Sequence, residues 1–287
     1  MADIVVIHGI GQQSEGPNTL SARLFPALRD GMSRAGTDIS PDDVSFASYG
    51  EVFRPKSEFL AAEPYYDASD VEPGYEEDLL LALWERAAST DSSVVPPDEE
   101  VLSRTPTVAR RALAALSRSR FLARVSERAF IGDLKQVRLY FHDDEIRTEI
   151  HEEVAAAITD DTRVIVGHSL GSVVAYEILF TLSPRPDRAL ITLGSPLGLP
   201  NLVFDRLRPA PEAQAGTGRV KGAWPPVRMW GNVADAGDVV AAVEDLRPLF
   251  GDELRQLRVH NGANAHDMSP YLTDPLTGQL IAAGLNA

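Results

Sequence analysis

The residues best placed to do chemistry meet at Gly167-His168-Ser169-Leu170-Gly171. Ahead of them Val164, Ile165 and Val166 make an apolar run with the character of a buried parallel strand. Behind them Val173, Val174, Ile178 and Leu179 recur at helical spacing. A strand that turns straight into a helix holds Ser169 at the bend, in strained backbone geometry that lifts its hydroxyl clear of the sheet. A Cβ at position 167 or 171 would collide with the neighbouring strand or helix, which accounts for the glycines. The helix start offers free N–H groups and a positive dipole end to an oxygen that gains negative charge. This is equipment for nucleophilic attack on a carbonyl. The plain alternative is a Gly/Ser-rich connection with no chemistry.

A serine hydroxyl needs a base, and the base needs a group to orient it. The chain has six histidines: His8, His142, His151, His168, His260 and His266. His260 ends an expected last strand at 257–260. His266 lies a few residues on, in Asn261-Gly262-Ala263-Asn264-Ala265-His266, a loop from which an imidazole can reach over the sheet edge. His266 is the favoured base and His260 the reserve. For the acid, Asp235 and Asp238 compete after an expected strand at 227–231. Asp238 directly precedes Val239-Val240, where a helix over about 238–246 would begin and its free N–H groups would hold a carboxylate. Asp238 is therefore preferred, and Asp235 is left to cap that helix. His8-Gly9-Ile10-Gly11 follows the first strand, and its glycines let backbone approach a reacting centre. The Ile10 and Leu170 N–H groups are the two candidate donors to an oxyanion.

These residues need a scaffold that brings distant segments together. Residues 3–8, 44–49, 164–166 and 189–194 read as strands. Leu20, Leu24, Leu28 and Met32 mark a helix over about 18–34, and Asp143-Asp144 can cap another running to about 158. Residues 137–140 read as a short strand or extended lead-in. Residues 196–226 read mostly as loop, with a short helix at 200–207, and 279–283 as part of a C-terminal helix. Strands alternating with helices imply an α/β fold with a mostly parallel sheet, whose ligands bind at the C-terminal strand ends. Residues 51–134 break the alternation. An acidic first half holds a helix at about 74–88 (Leu79, Leu80, Leu83, Trp84), and a linker follows at 89–97. Arg104, Arg110, Arg111, Arg118, Arg120, Arg124 and Arg128 then gather on an amphipathic stretch. We read 51–134 as a helical cap or lid inserted between 1–50 and 135–287, with the two charged halves pairing locally.

Bulk composition narrows the classes. At 287 residues, 44% hydrophobic and 24% charged, the chain suits one α/β domain plus a cap. A net charge of −15 argues against nucleic acid as a partner and against anionic membrane surfaces. With no cysteine, thiolate catalysis and cysteine metal sites are excluded. No segment reads as a signal peptide or a membrane span, so a cytoplasmic location is expected. The acids and histidines around His142 and His151 lack the His-Glu-x-x-His spacing of a metal site and read as a solvated helix face.

His8-Gly-Ile-Gly, Gly167-His-Ser-Leu-Gly, Thr192-Leu-Gly-Ser-Pro and the downstream Asp238 and His266 together resemble the α/β-hydrolase superfamily. More narrowly they are similar to its lipase-like serine esterases. The resemblance covers 1–50 and about 135–285, and the insertion has no counterpart in it. It implies the chain order serine, acid, histidine and an acyl-enzyme reaction without cofactor or metal. The substrate it implies is a small-molecule or lipid acyl ester. Acyl transfer, thioester cleavage and an inactive binding protein on the same fold are the alternatives.

Overall fold

A computed structural model describes residues 2–54, 65–97, 106–122, 125–216 and 218–286. In chain order the elements are β1 (Ile4–Ile7), α1 (Pro17–Arg34), β2 (Val44–Ala47), α2 (Tyr75–Thr90) and α3 (Pro106–Leu116). Next come α4 (Glu127–His142), α5 (Asp144–Ala157), β3 (Val164–His168), α6 (Leu170–Ile178) and β4 (Ala189–Leu193). A short hairpin pair, β5 (Glu212–Ala213) and β6 (Val220–Lys221), precedes β7 (Met229–Asp235), α7 (Arg247–Phe250) and β8 (Arg255–Val259). α8 (Met268–Thr273) and α9 (Pro275–Leu285) close the chain.

The main sheet has six strands in the order β2-β1-β3-β4-β7-β8, every neighbouring pair parallel. Alternate residues serve opposite faces, as the strand period requires. Val5, Ile7 and Ile165 pack with residues of α2 to α6, while Ile4, Val6, Val164 and Val166 pack with α1, α8 and α9. The fold is therefore α/β, with helices on both faces of a parallel sheet. Among the described residues, no helix is long and apolar enough to cross a membrane.

Register carries the chemistry to one edge. Ile7 lies opposite Gly167, and His168 lies opposite Leu193. Hence His8-Gly9-Ile10, Ser169 and Gly194 leave neighbouring strand ends together. The chain runs outward in opposite directions from β1 and β3, and the crevice between them is where such sheets bind ligands.

Three expectations change. Residues 137–140 lie inside α4 and are helical. Ser126 caps that helix by accepting the Ala129 N–H, and Phe130, Ile131, Leu134 and Phe141 continue its buried stripe. The expected edge of the insertion at 134 thus falls within one continuous helix. The helix expected over 238–246 does not form. The Asn232 side chain donates to the Glu244 carbonyl and Gln256 Oε1 accepts the Leu246 N–H, taking groups a helix would use. Valines 239, 240 and 243 favour an extended course as well. In 200–207 a single 3₁₀ turn, Phe204–Arg206, stands where a short helix was expected.

The two charged halves of 51–134 do meet: Asp91 accepts both the Arg120 backbone N–H and its guanidinium. Arg104 and Arg124 lie outside the described residues. α4 is tied to α2 through Lys135 and Arg138, both on Glu76.

Candidate functional site

At the bend after β3, Ser169 adopts φ 53° and ψ −129°, one of two non-glycine residues with positive φ among those described. Three contacts hold it there. Its N–H donates to Leu193 O at 3.0 Å, and its carbonyl accepts from the Ser172 N–H and hydroxyl. The glycines make room. A Cβ on Gly167 would lie 2.5 Å from Gly171 O, and one on Gly171 would lie 2.2 Å from His8 O. Both distances are closer than any carbon can approach, so these positions admit no side chain.

His266 brings Nε2 to 3.0 Å from Ser169 Oγ and Nδ1 to 2.9 Å from Asp238 Oδ2. The Nδ1 proton goes to the carboxylate, which leaves the Nε2 lone pair for the serine proton. Asp238 is fully buried, and its other oxygen accepts the Val240 and Ala241 N–H groups at 2.9 and 3.2 Å. Burial would raise its pKa. The His266 charge and hydrogen bond, the Tyr271 hydroxyl and the Ala241 N–H outweigh that, holding the carboxyl below its usual range. Of the two competing acids, Asp238 meets the histidine. Asp235 instead accepts the Gly237 and Asn261 N–H groups and ties the β7 and β8 loops together. His260 is exposed and borders the cavity that opens beside Ser169 and His266.

Three further residues support this line of side chains, and none was assigned a role from the sequence. Tyr271, from α8, donates to Asp238 Oδ2 at 2.8 Å and accepts the Asp235 N–H at 3.0 Å. One buried aromatic looks like any other in a sequence, so nothing in the spacing singles it out. His168 donates its Nε2–H to the His266 carbonyl at 2.9 Å and stacks near its ring, 4.9 Å between centroids. Gly194, at φ 53°, passes beneath the Asp238–His266 bond, where a Cβ would lie 2.7 Å from Asp238 Oδ2. A glycine closing a strand was the visible hint for that one.

The loop after β1 is pressed against the serine. A Cβ on Gly9 would lie 2.8 Å from the Ser169 Cβ. His8 fixes the loop from below: its Nδ1–H donates to Gly9 O, its Nε2 accepts the Tyr49 N–H at 3.2 Å, and its ring stacks on Tyr49. Above, the Gly11 N–H donates to Gln136 Oε1 of α4 at 3.2 Å. Ile10 sits between these anchors, and Leu170 opens α6, where the first N–H groups have no partner within the helix. Both border the cavity.

That cavity, of about 1360 Å³, runs from Ser169 and His266 beneath α2 and α4. Leu79, Leu83, Phe121, Phe130 and Val137 give it an apolar lining. It is large enough for a drug-sized or longer apolar molecule. Among the described residues no three His, Asp or Glu side chains cluster as a metal site. His142 packs on Tyr75, and His151 lies 3.0 Å from the Tyr140 hydroxyl. A hydroxyl, a base with a free lone pair and a buried carboxylate, opening onto an apolar cavity, can attack a carbonyl carbon and stabilise the charge that results. Neither a known family model nor any curated protein sequence matches this chain.

Proposed function

We propose that this protein is a serine hydrolase of α/β-hydrolase type that cleaves carboxylic esters with an apolar acyl or alcohol part. The observation that carries the reading is the line Ser169 Oγ–His266 Nε2–Asp238, with links of 3.0 and 2.9 Å. In this scheme the Ser169 oxygen bonds to the ester carbon while His266 takes its proton. The carbonyl electron pair moves to oxygen, where the Ile10 and Leu170 N–H groups receive it. Collapse expels the alcohol, which takes the proton from His266. Water then repeats the sequence on the acyl-enzyme, releasing the acid and restoring Ser169.

Two further features support the scheme. The lining of the cavity suits an apolar chain, and Phe121 sits 6.1 Å from the His266 ring, where it would face the leaving group or the acyl chain. The segment 51–134 would then act as a cap that selects by chain length. Nitrophenyl esters of rising acyl length, tested with the natural protein and Ser169→Ala, decide the matter. Turnover should fall at least about 10⁴-fold in the variant, and a fluorophosphonate should label the natural protein alone. Equal turnover or equal labelling of the two overturns the reading.

A further inference from the structure

α4 carries a carboxyl into this cavity that no described residue meets with a hydrogen bond or an ion pair. Asp133 borders the cavity, and a Cβ on Gly11 would lie 3.1 Å from its Oδ1. Among the described residues it makes no hydrogen bond and no ion pair. The arginines and lysine on the same walls are engaged elsewhere: Arg23 with Glu15 and Gln12, Arg54 with Glu51, Arg120 with Asp91, Arg128 over the Tyr65 ring and Lys135 with Glu76. One helical turn before it on α4 stands Phe130. Phe121 packs edge-on against Phe130, 6.1 Å between centroids, and lies 6.1 Å from His266.

An unpartnered carboxyl among apolar walls is costly unless an occupant satisfies it. Aromatic rings beside a carboxylate are the surroundings that receive an ammonium group. We propose that Asp133 sets the substrate class: it takes the ammonium of an amine-bearing acyl ester whose carbonyl rests at Ser169. This rests on the hydrolase reading for its chemistry, but not for its binding. Burial pushes the Asp133 carboxyl up to about 7, against the pull of the His266 charge, so it is ionised in mildly alkaline solution. The net charge of −15 gathers cations toward the surface in the same sense.

Two measurements at pH 8 test it. In calorimetry, hexylammonium should bind the natural protein at least about tenfold more tightly than hexan-1-ol, and Asp133→Asn should lose that preference. In turnover, the ratio of kcat/KM for nitrophenyl 6-aminohexanoate over nitrophenyl heptanoate should fall at least about tenfold in Asp133→Asn. A natural protein that binds both probes equally overturns the proposal without need of any variant, as does a preference that survives Asp133→Asn. Neutral esters turned over without ammonium preference would keep the hydrolase and remove the subsite. Asp133-dependent ammonium binding in a protein that cleaves no ester would do the reverse.

Discussion

The Tyr271 hydroxyl donates to the same Asp238 oxygen that accepts the His266 Nδ1–H, at 2.8 and 2.9 Å. Two donors on one buried oxygen fix the carboxylate plane, and with it the tilt of the imidazole. The phenol also stops the Asp235 N–H from being orphaned.

Tyr271→Phe keeps the packing and removes the hydroxyl. Hydrogen bonds to charged groups contribute about 1.5–3 kcal/mol, and urea unfolding at pH 7 should show a loss of that order. The sign with pH follows from the depressed Asp238 pKa. Its stabilisation is present above the ordinary carboxylate value of about 4 and fades as pH falls through the lower folded value. The gap between variant and natural protein should therefore narrow in acid. A gap that stays constant from pH 7 to pH 3 would show that the bond does not favour the ionised carboxylate.

Gly194→Ala should injure activity more than stability. A side chain at φ 53° costs on the order of 1 kcal/mol, and its Cβ would push on Asp238 Oδ2 and the His266 ring. Ester turnover should drop about 100-fold, the scale of a misplacement near 1 Å. Gly36→Ala is the control: its φ is 80° with nothing near the added carbon, so it carries the backbone cost alone. If both variants lose turnover equally, crowding at Asp238 is not the cause.

His8 and His168 should remain neutral throughout the physiological range. Burial lowers His8 to about 4. Burial first, then the His266 charge, lowers His168 to about 3. The unfolded chain takes up a proton at each near pH 6.5 and the folded chain does not, so stability is lost as pH falls from about 6.5 toward those values. Melting temperature should decline over that interval, and the two imidazole C–H resonances should stay fixed between pH 8 and pH 5. A midpoint near 6 for either ring would contradict its burial.

How much of this was legible beforehand follows from the range of each signal. The bend at Ser169, the loop at His8–Gly11 and the α/β alternation are local patterns, and each has its mark within a few residues. Asp238 rather than Asp235 meets the His266 ring, and the helix invoked for that preference does not form. Its carboxylate is held by two N–H groups of an irregular turn. α4 was misread over 137–140 because Val137 and Leu139 imitate a strand in a short window, while the deciding stripe spans 130–141. Tyr271 and Gln136 act through partners far away in sequence, Asp133 faces a cavity that only the fold assembles, and no spacing reports either.

α4 has a further consequence. In its middle Asp133 and Gln136 overhang the Gly9–Gly11 loop; one turn on, the Tyr140 hydroxyl is bound to Glu177 on α6, which begins beside the serine. Glu177 also takes the Arg147 guanidinium from α5 in a two-pronged grip. The ceiling of the chamber and the pedestal of the nucleophile are in this way riveted to one beam. Swinging that ceiling outward as a single slab would wrench the pedestal too.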